Sequence, residues 1–289
     1  MNQISKSLYT LHLAMVLLGF TALFSIIIPL SATDITFGRS IVACITLFII
    51  VKLGKQSLKL NRPKDYFIAF GLGAIMAVHW VSYFAAMQLA SVSVGIIALF
   101  TFPVITVLLE PFFEGIRLVW QDVASACVVL LGIYLIVPDV SLNNDVTLGI
   151  GVGVFSAVLY SLRNLLHRKY FTHYSGAQAM AYQTLVIALC LLFFVSPELS
   201  AMSGSTFGLL VLLGTLCTAA PHALIATSLK HIRAKTFSLV ACMQPFYGVI
   251  LAILILNEQP RWNTLLGGLL VISASIYETV NAHKLHKSS

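Results

Sequence analysis

Polar and aromatic side chains with chemistry to offer stand inside otherwise apolar stretches of this sequence. At such positions a polar group must meet a partner or a cavity. His79, Tyr83 and Ala86 fall on one face of a helix at helical spacing, with Trp80 and Phe84 beside them. An imidazole and a phenol can exchange hydrogen bonds with a polar ligand, and aromatic walls with a few polar groups are what small-molecule pockets use. His222, which follows Pro221, carries a second imidazole at comparable depth, so the two can sense protons if they face one pocket. Gln244 and Tyr247 flank Pro245. These six, His79, Trp80, Tyr83, His222, Gln244 and Tyr247, form the candidate substrate pocket. The plainer reading of each is a satisfied structural histidine or a packing aromatic.

Two charged residues invite a sharper reading. Glu110 shares a stripe with Pro103 and Thr106, one turn from the end of its apolar segment. A carboxylate there must pair, protonate or meet water, so it serves proton coupling, cation recognition or the pairing of a nearby surface cation. Arg39 can clamp a carboxylate or phosphate bidentately. The simpler expectation is that it snorkels to the outer interface or pairs with Asp34. Arg163, crowded with Tyr160, Asn164 and Gln183, reads as an inner-face anchor. Pro103 and Pro245 each lack the amide that would bond the carbonyl four residues back, Leu99 or Ala241, and each is expected to kink its helix as a packing bend or a hinge.

The elements that hold these residues follow from composition. The chain has 289 residues, 59% hydrophobic and only 9% charged, too little charge to coat a soluble core. Lipid is the expected solvent, and spans of about 20 apolar residues are counted accordingly. They run over about 8–30, 35–53, 66–89, 94–113, 121–137, 147–166, 177–196, 206–229, 236–256 and 264–282. The first exceeds a signal-peptide core and is expected to be retained as a helix. The five cysteines all fall inside spans and read as small core residues.

Placing the N-terminus in the cytoplasm puts 15 of the 17 Lys and Arg on inner segments, including Lys52, Lys55, Lys59, Arg62 and Lys64, leaving Arg39 and Arg261. That asymmetry predicts cytoplasmic termini. The same map assigns the +7 formal charge to anionic lipid rather than to nucleic acid. Gly149, Gly153 and Ala157 make a small-residue ridge suited to close helix contact.

VGIIALFTFPVITVLLEPFFEG, around Pro103, can be laid over TFSLVACMQPFYGVILAILILNE, around Pro245; each has a proline within and a glutamate, Glu114 or Glu258, past its end. Five spans per half, an odd number, make the second half run antiparallel to the first, a transporter signature. The stretch from His79 to Gly132, with HWVSYFAAMQLASVSVG, TFPVITVLLEPFFEG and LLGIYL, resembles the EamA-type modules of the drug/metabolite transporter superfamily. ILNEQP and LLGGLLVISASIY look like the paired module. The resemblance implies an all-α integral membrane protein of ten transmembrane helices as two inverted five-helix repeats, 1–141 and 142–289. It also implies structural hydrogen bonding by Glu114 and Glu258.

The function expected is a secondary transporter that moves a small polar metabolite across a bacterial inner membrane by alternating access around a midplane pocket. An amino acid or related compound comes first among substrates, because aromatic walls and neutral hydrogen-bonding groups outnumber charges; export is the expected direction. Facilitated diffusion, antiport, a nucleotide-sugar or drug-like solute, and a membrane protein without transport are the alternatives. No Walker A pattern, HExxH helix or paired intramembrane aspartates occur, so an enzyme, a metal or a cofactor is not expected. The glycines of GIGVG lack a preceding strand and make no phosphate loop. Partners are the substrate and the bilayer, as a monomer or a homodimer.

Overall fold

A backbone in lipid must satisfy its own amides and carbonyls within each segment, and the chain does so with helices. The computed structural model describes residues 3–114, 120–136, 144–228, 241 and 243–285, and every regular element among them is helical. Of the basic loop residues, Arg117, Lys230, Arg233, Lys235 and Lys287 lie outside the described residues, as do most of the ninth apolar span before Gln244, Cys242 and the side chains of Pro103 and Glu114.

The first three helices are α1 (Gln3–Ile27), α2 (Ala32–Leu53) and α3 (Pro63–Leu89). The fourth span is broken into α4 (Val92–Leu99) and α5 (Phe102–Glu114), and α6 (Trp120–Ile136) follows. Then come α7 (Asp145–Tyr170) and α8 (Gly176–Leu191), the latter extended by the 3₁₀ turn Leu192–Phe194 and followed by the single turn Pro197–Ser200. α9 (Gly204–Gly214) passes through a π-helical turn, Thr215–Ala219, into α10 (Ala220–Ser228). The last two are α11 (Gln244–Leu256) and α12 (Trp262–Leu285). Six of these helical stretches are long and apolar enough to cross a membrane, and four are shorter apolar helices.

Local chemistry starts these helices. Ser31, Ser91, Ser175 and Ser203 each accept the amide three residues on, and Asn144 accepts that of Val146, satisfying donors that a helix N-terminus leaves free. α11 stops at Asn257, whose left-handed φ of 54° caps the last turn. The π turn has a covalent cause: Pro221 has no amide for the Cys217 carbonyl, which instead accepts the Thr21 hydroxyl from α1 at 2.8 Å.

Packing pairs repeat between the two halves. α3 lies against α7 and α8, while α10 lies against α1 and α9 against α2; α1 meets α11 as α7 meets α4 and α5; α2–α8, α4–α11 and α6–α12 pair across the halves. Exchanging each helix with its counterpart leaves this pattern unchanged. A Cβ on Gly73 would lie 2.5 Å from the Val186 Cβ and 3.1 Å from the Gln183 carbonyl oxygen. On Gly214 it would lie 2.5 Å from the Val42 Cβ and 3.0 Å from the Arg39 carbonyl oxygen. Gln183 on α8 therefore stands where Arg39 stands on α2. The ridge expected on α7 is buried as well: a Cβ on Gly149 or Gly153 would meet Ala90 or Ala98 within 3 Å.

Neither proline sits mid-helix. The chain turns at Phe100 and Thr101, so Pro103 is the second residue of α5, and Pro245 is the second residue of α11 after Met243. First-turn proline gives up an amide the helix does not need, so both start helices rather than kink them. At the first break the Phe102 carbonyl accepts the Ser161 hydroxyl of α7 at 2.9 Å.

Candidate functional site

α2, α3 and α7 bring together a buried polar centre. His79, Trp80 and Tyr83 are all buried. The His79 Nδ1 lies 2.8 Å from the Ser156 hydroxyl and 3.0 Å from the Ser156 carbonyl, and that hydroxyl donates back to the His79 carbonyl at 2.9 Å. A carbonyl only accepts, so these contacts place the ring proton on Nδ1 and leave Nε2 as the acceptor. The His79 ring is near-parallel to Tyr160, 4.8 Å between centres, and to Tyr83 at 6.3 Å. Tyr160 meets Phe102 edge-on at 4.8 Å, so a row of rings runs from α3 through α7 to the break before α5.

Arg39 overturns the expectation that it snorkels or pairs with Asp34. It is 3% exposed, with its Cζ 3.7 Å from the centre of the Trp80 ring and 4.9 Å from that of Phe84. Its Nε and Nη1 are buried without a hydrogen-bond partner, and so is the Tyr83 hydroxyl. A desolvated guanidinium over an indole is worth about 2 kcal/mol. Removing that charge from water costs several kcal/mol, and each unmet donor adds about 1–3 kcal/mol. The aromatic stack alone does not offset the burial.

Asp34 is committed elsewhere. Its carboxylate accepts the Ser31 hydroxyl at 2.6 Å, the Ser196 amide at 2.9 Å and the Ser196 hydroxyl at 2.7 Å. It lines an open cleft of about 510 Å³ with Ser25, Ser31, Gln88, Ser196 and Glu198, among others. Outside the spans, a hydrogen bond from Ser196 and one from its own amide hold the Glu198 carboxyl below the usual range. None of the six residues expected to form the pocket lines this cleft. Asp34 and Arg39 are five residues apart on α2, about 7.5 Å along the axis, and Gln88 and Phe84 are one turn apart on α3.

Arg163 is not an outward anchor. Its Nε donates to the Gln183 Oε1 at 2.8 Å, Nη1 to the Asn164 Oδ1 at 2.9 Å, and Nη2 reaches the Met180 sulfur. All three acceptors are uncharged. His222 is part-buried on α10.

The other two residues expected in the pocket, Gln244 and Tyr247, stand on α11. The Tyr247 hydroxyl meets His12 Nδ1 at 2.8 Å, and Tyr247 packs with Leu11, Ala14 and Met15 in a satellite core on α1. Gln244, part-buried, opens α11. Glu110 forms an ion pair with Arg168. Glu258 accepts the amides of Val92 and Ser93 at 2.7 and 3.1 Å and the Ser93 hydroxyl at 2.5 Å, holding the start of α4 as the resemblance implied. Ser156 is absent from the expected site, although its place beside Gly153 and Ala157 on the small-residue face signals close approach to α3. Among the described residues, no three His, Cys, Asp or Glu side chains gather as a metal cluster.

The model of the EamA-like transporter family matches residues 5–137 and 147–277. The chain belongs to that family. It is 23% identical to an S-adenosylmethionine uptake transporter of Rickettsia felis, over 86% of this chain and 83% of the relative. It is 22% identical to an uncharacterized transporter of Bacillus subtilis, over 94% and 89%. A solved crystal structure superposes with a TM-score of 0.65 at 17% identity, covering 95% of this chain and 98% of that one, a likeness of fold.

Proposed function

We propose that this EamA-like transporter is a secondary carrier that moves an amino acid or related zwitterion across a bacterial inner membrane by alternating access. The observation that carries the reading is the buried polar centre of Arg39, His79 and Trp80, set among helices whose packing pairs repeat between the halves. The reading takes the four shorter apolar helices as crossings too, giving ten in two inverted halves, 1–141 and 142–289, with both termini cytoplasmic. Two packed repeats of this kind can exchange conformations about a shared site. The breaks before Pro103 and Pro245 are matched in the halves and serve as the hinges. Direction follows the substrate gradient. The relatives named as uptake transporters favour entry over the export expected from the sequence, and S-adenosylmethionine, itself an amino acid, enters the list of first candidates.

Counterflow tests this. Proteoliposomes holding the purified chain are preloaded with unlabelled S-adenosylmethionine or one of the twenty amino acids and offered the same compound labelled outside. Transient accumulation above the external level is expected for at least one compound. No accumulation of any compound, with oriented and folded protein verified, contradicts the reading.

A further inference from the structure

The unmet charge of Arg39 calls for a counter-ion. No acidic side chain among the described residues pairs with it; the nearest on its own helix, Asp34, is held by Ser31 and Ser196. Stacking on Trp80 and Phe84 leaves Nε and Nη1 facing no acceptor. The Tyr83 hydroxyl is also buried and unmet, and its ring meets edge-on, at 6.0 Å, the Phe84 ring that the guanidinium lies over. Two unmet donor groups and one fixed positive charge thus lie on α2 and α3, one or two turns along each helix from the cleft residues Asp34 and Gln88. The second interior arginine, Arg163, spends its fork on Gln183 and Asn164. Of these two arginines, Arg39 is the one whose Nε and Nη1 meet no acceptor, leaving N–H groups to offer the two oxygens of one carboxylate.

We propose that Arg39, lying over Trp80 without a hydrogen-bond partner, binds the carboxylate of the transported metabolite, with the Tyr83 hydroxyl as a further donor. This rests on the carrier reading and names the group it recognises. A guanidinium presents parallel N–H groups to the two oxygens of a carboxylate, and the aromatic floor fixes its plane. Trp80 then reports occupancy, because a ligand that draws on the guanidinium changes the surroundings of the indole.

The test is a fluorescence titration. The other two tryptophans, Trp120 and Trp262, are 74% and 71% exposed and are replaced by phenylalanine, leaving Trp80 as the emitter. S-adenosylmethionine, the amino acids and their carboxamides are titrated into the detergent-purified protein, with inorganic phosphate as a separate arm. A carboxylate compound is expected to change the emission saturably, and its carboxamide to bind about 30-fold more weakly or worse, as for removal of one partner from a buried charge pair. Arg39→Lys should retain part of the affinity and Arg39→Gln none, both eluting as folded protein. Equal binding of acid and carboxamide, undiminished binding by Arg39→Gln, or phosphate binding tighter than any carboxylate overturns the proposal. Counterflow of a compound without a carboxylate, unaffected by Arg39→Gln, overturns the proposal and leaves the carrier reading standing; absence of all counterflow removes the carrier reading itself.

Discussion

Val42 and Val186 approach Gly214 and Gly73 in the same way, with 2.5 Å between the valine Cβ and a Cβ built on the glycine. One turn before each valine the two halves part company. In the first half the residue is Arg39, buried against rings with no hydrogen-bond partner. In the second it is Gln183, which accepts from Arg163 and donates to the Ala179 carbonyl. The backbone is held to a two-fold pattern because each of the two helix contacts needs a glycine facing a valine. The side chains at the centre depart from it, with a guanidinium in one half and an amide in the other. On the proposed reading the repeat would supply movement and the departure from it recognition.

The largest expected effect tests the shared part. Gly73→Leu and Gly214→Leu each force a branched side chain into a valine and a backbone carbonyl, and should each lose about 3 kcal/mol or more of stability. Matched falls in apparent melting temperature would confirm equivalence, and a fall in only one would break it. Gln183→Ala probes the second half: it strips Arg163 of an acceptor, with an expected loss of about 1.5–3 kcal/mol, read as a lower melting temperature whether or not substrate is present. The smallest effect belongs outside the comparison. Glu110→Gln removes a part-exposed pair with Arg168 and should shift stability by less than about 1 kcal/mol. Counterflow should keep its rate and pH profile; a flattened profile would restore Glu110 to proton coupling.

Hydropathy made the helices legible because each long span must satisfy its own backbone in lipid. Helical spans were legible; azimuth was less so. Arg39 seemed free to pair with Asp34 from spacing alone, yet the capping geometry of Ser31 and the return of the chain at Ser196 take that carboxylate. Tyr247 shared a helical stripe with Gln244, but its partner is His12, 235 residues away in sequence. The prolines looked like kinks because the breaks before them, at Phe100–Thr101 and Met243, carry no glycine or polar run to announce them. Pro221 was visible only as the neighbour of His222. Its consequence, a π turn whose freed carbonyl takes the Thr21 hydroxyl, depends on a helix from the other half.

The most direct measurement is the apparent melting temperature of the wild type and of Arg39→Met, each with and without the carboxylate metabolite that gives counterflow. A buried charge without a partner should destabilise the empty protein. The variant is therefore expected to melt above the wild type without substrate and to gain nothing when substrate is added, while the wild type rises. A variant that melts below the wild type and still gains as much from the substrate would contradict the account, leaving Arg39 as a structural stack on Trp80.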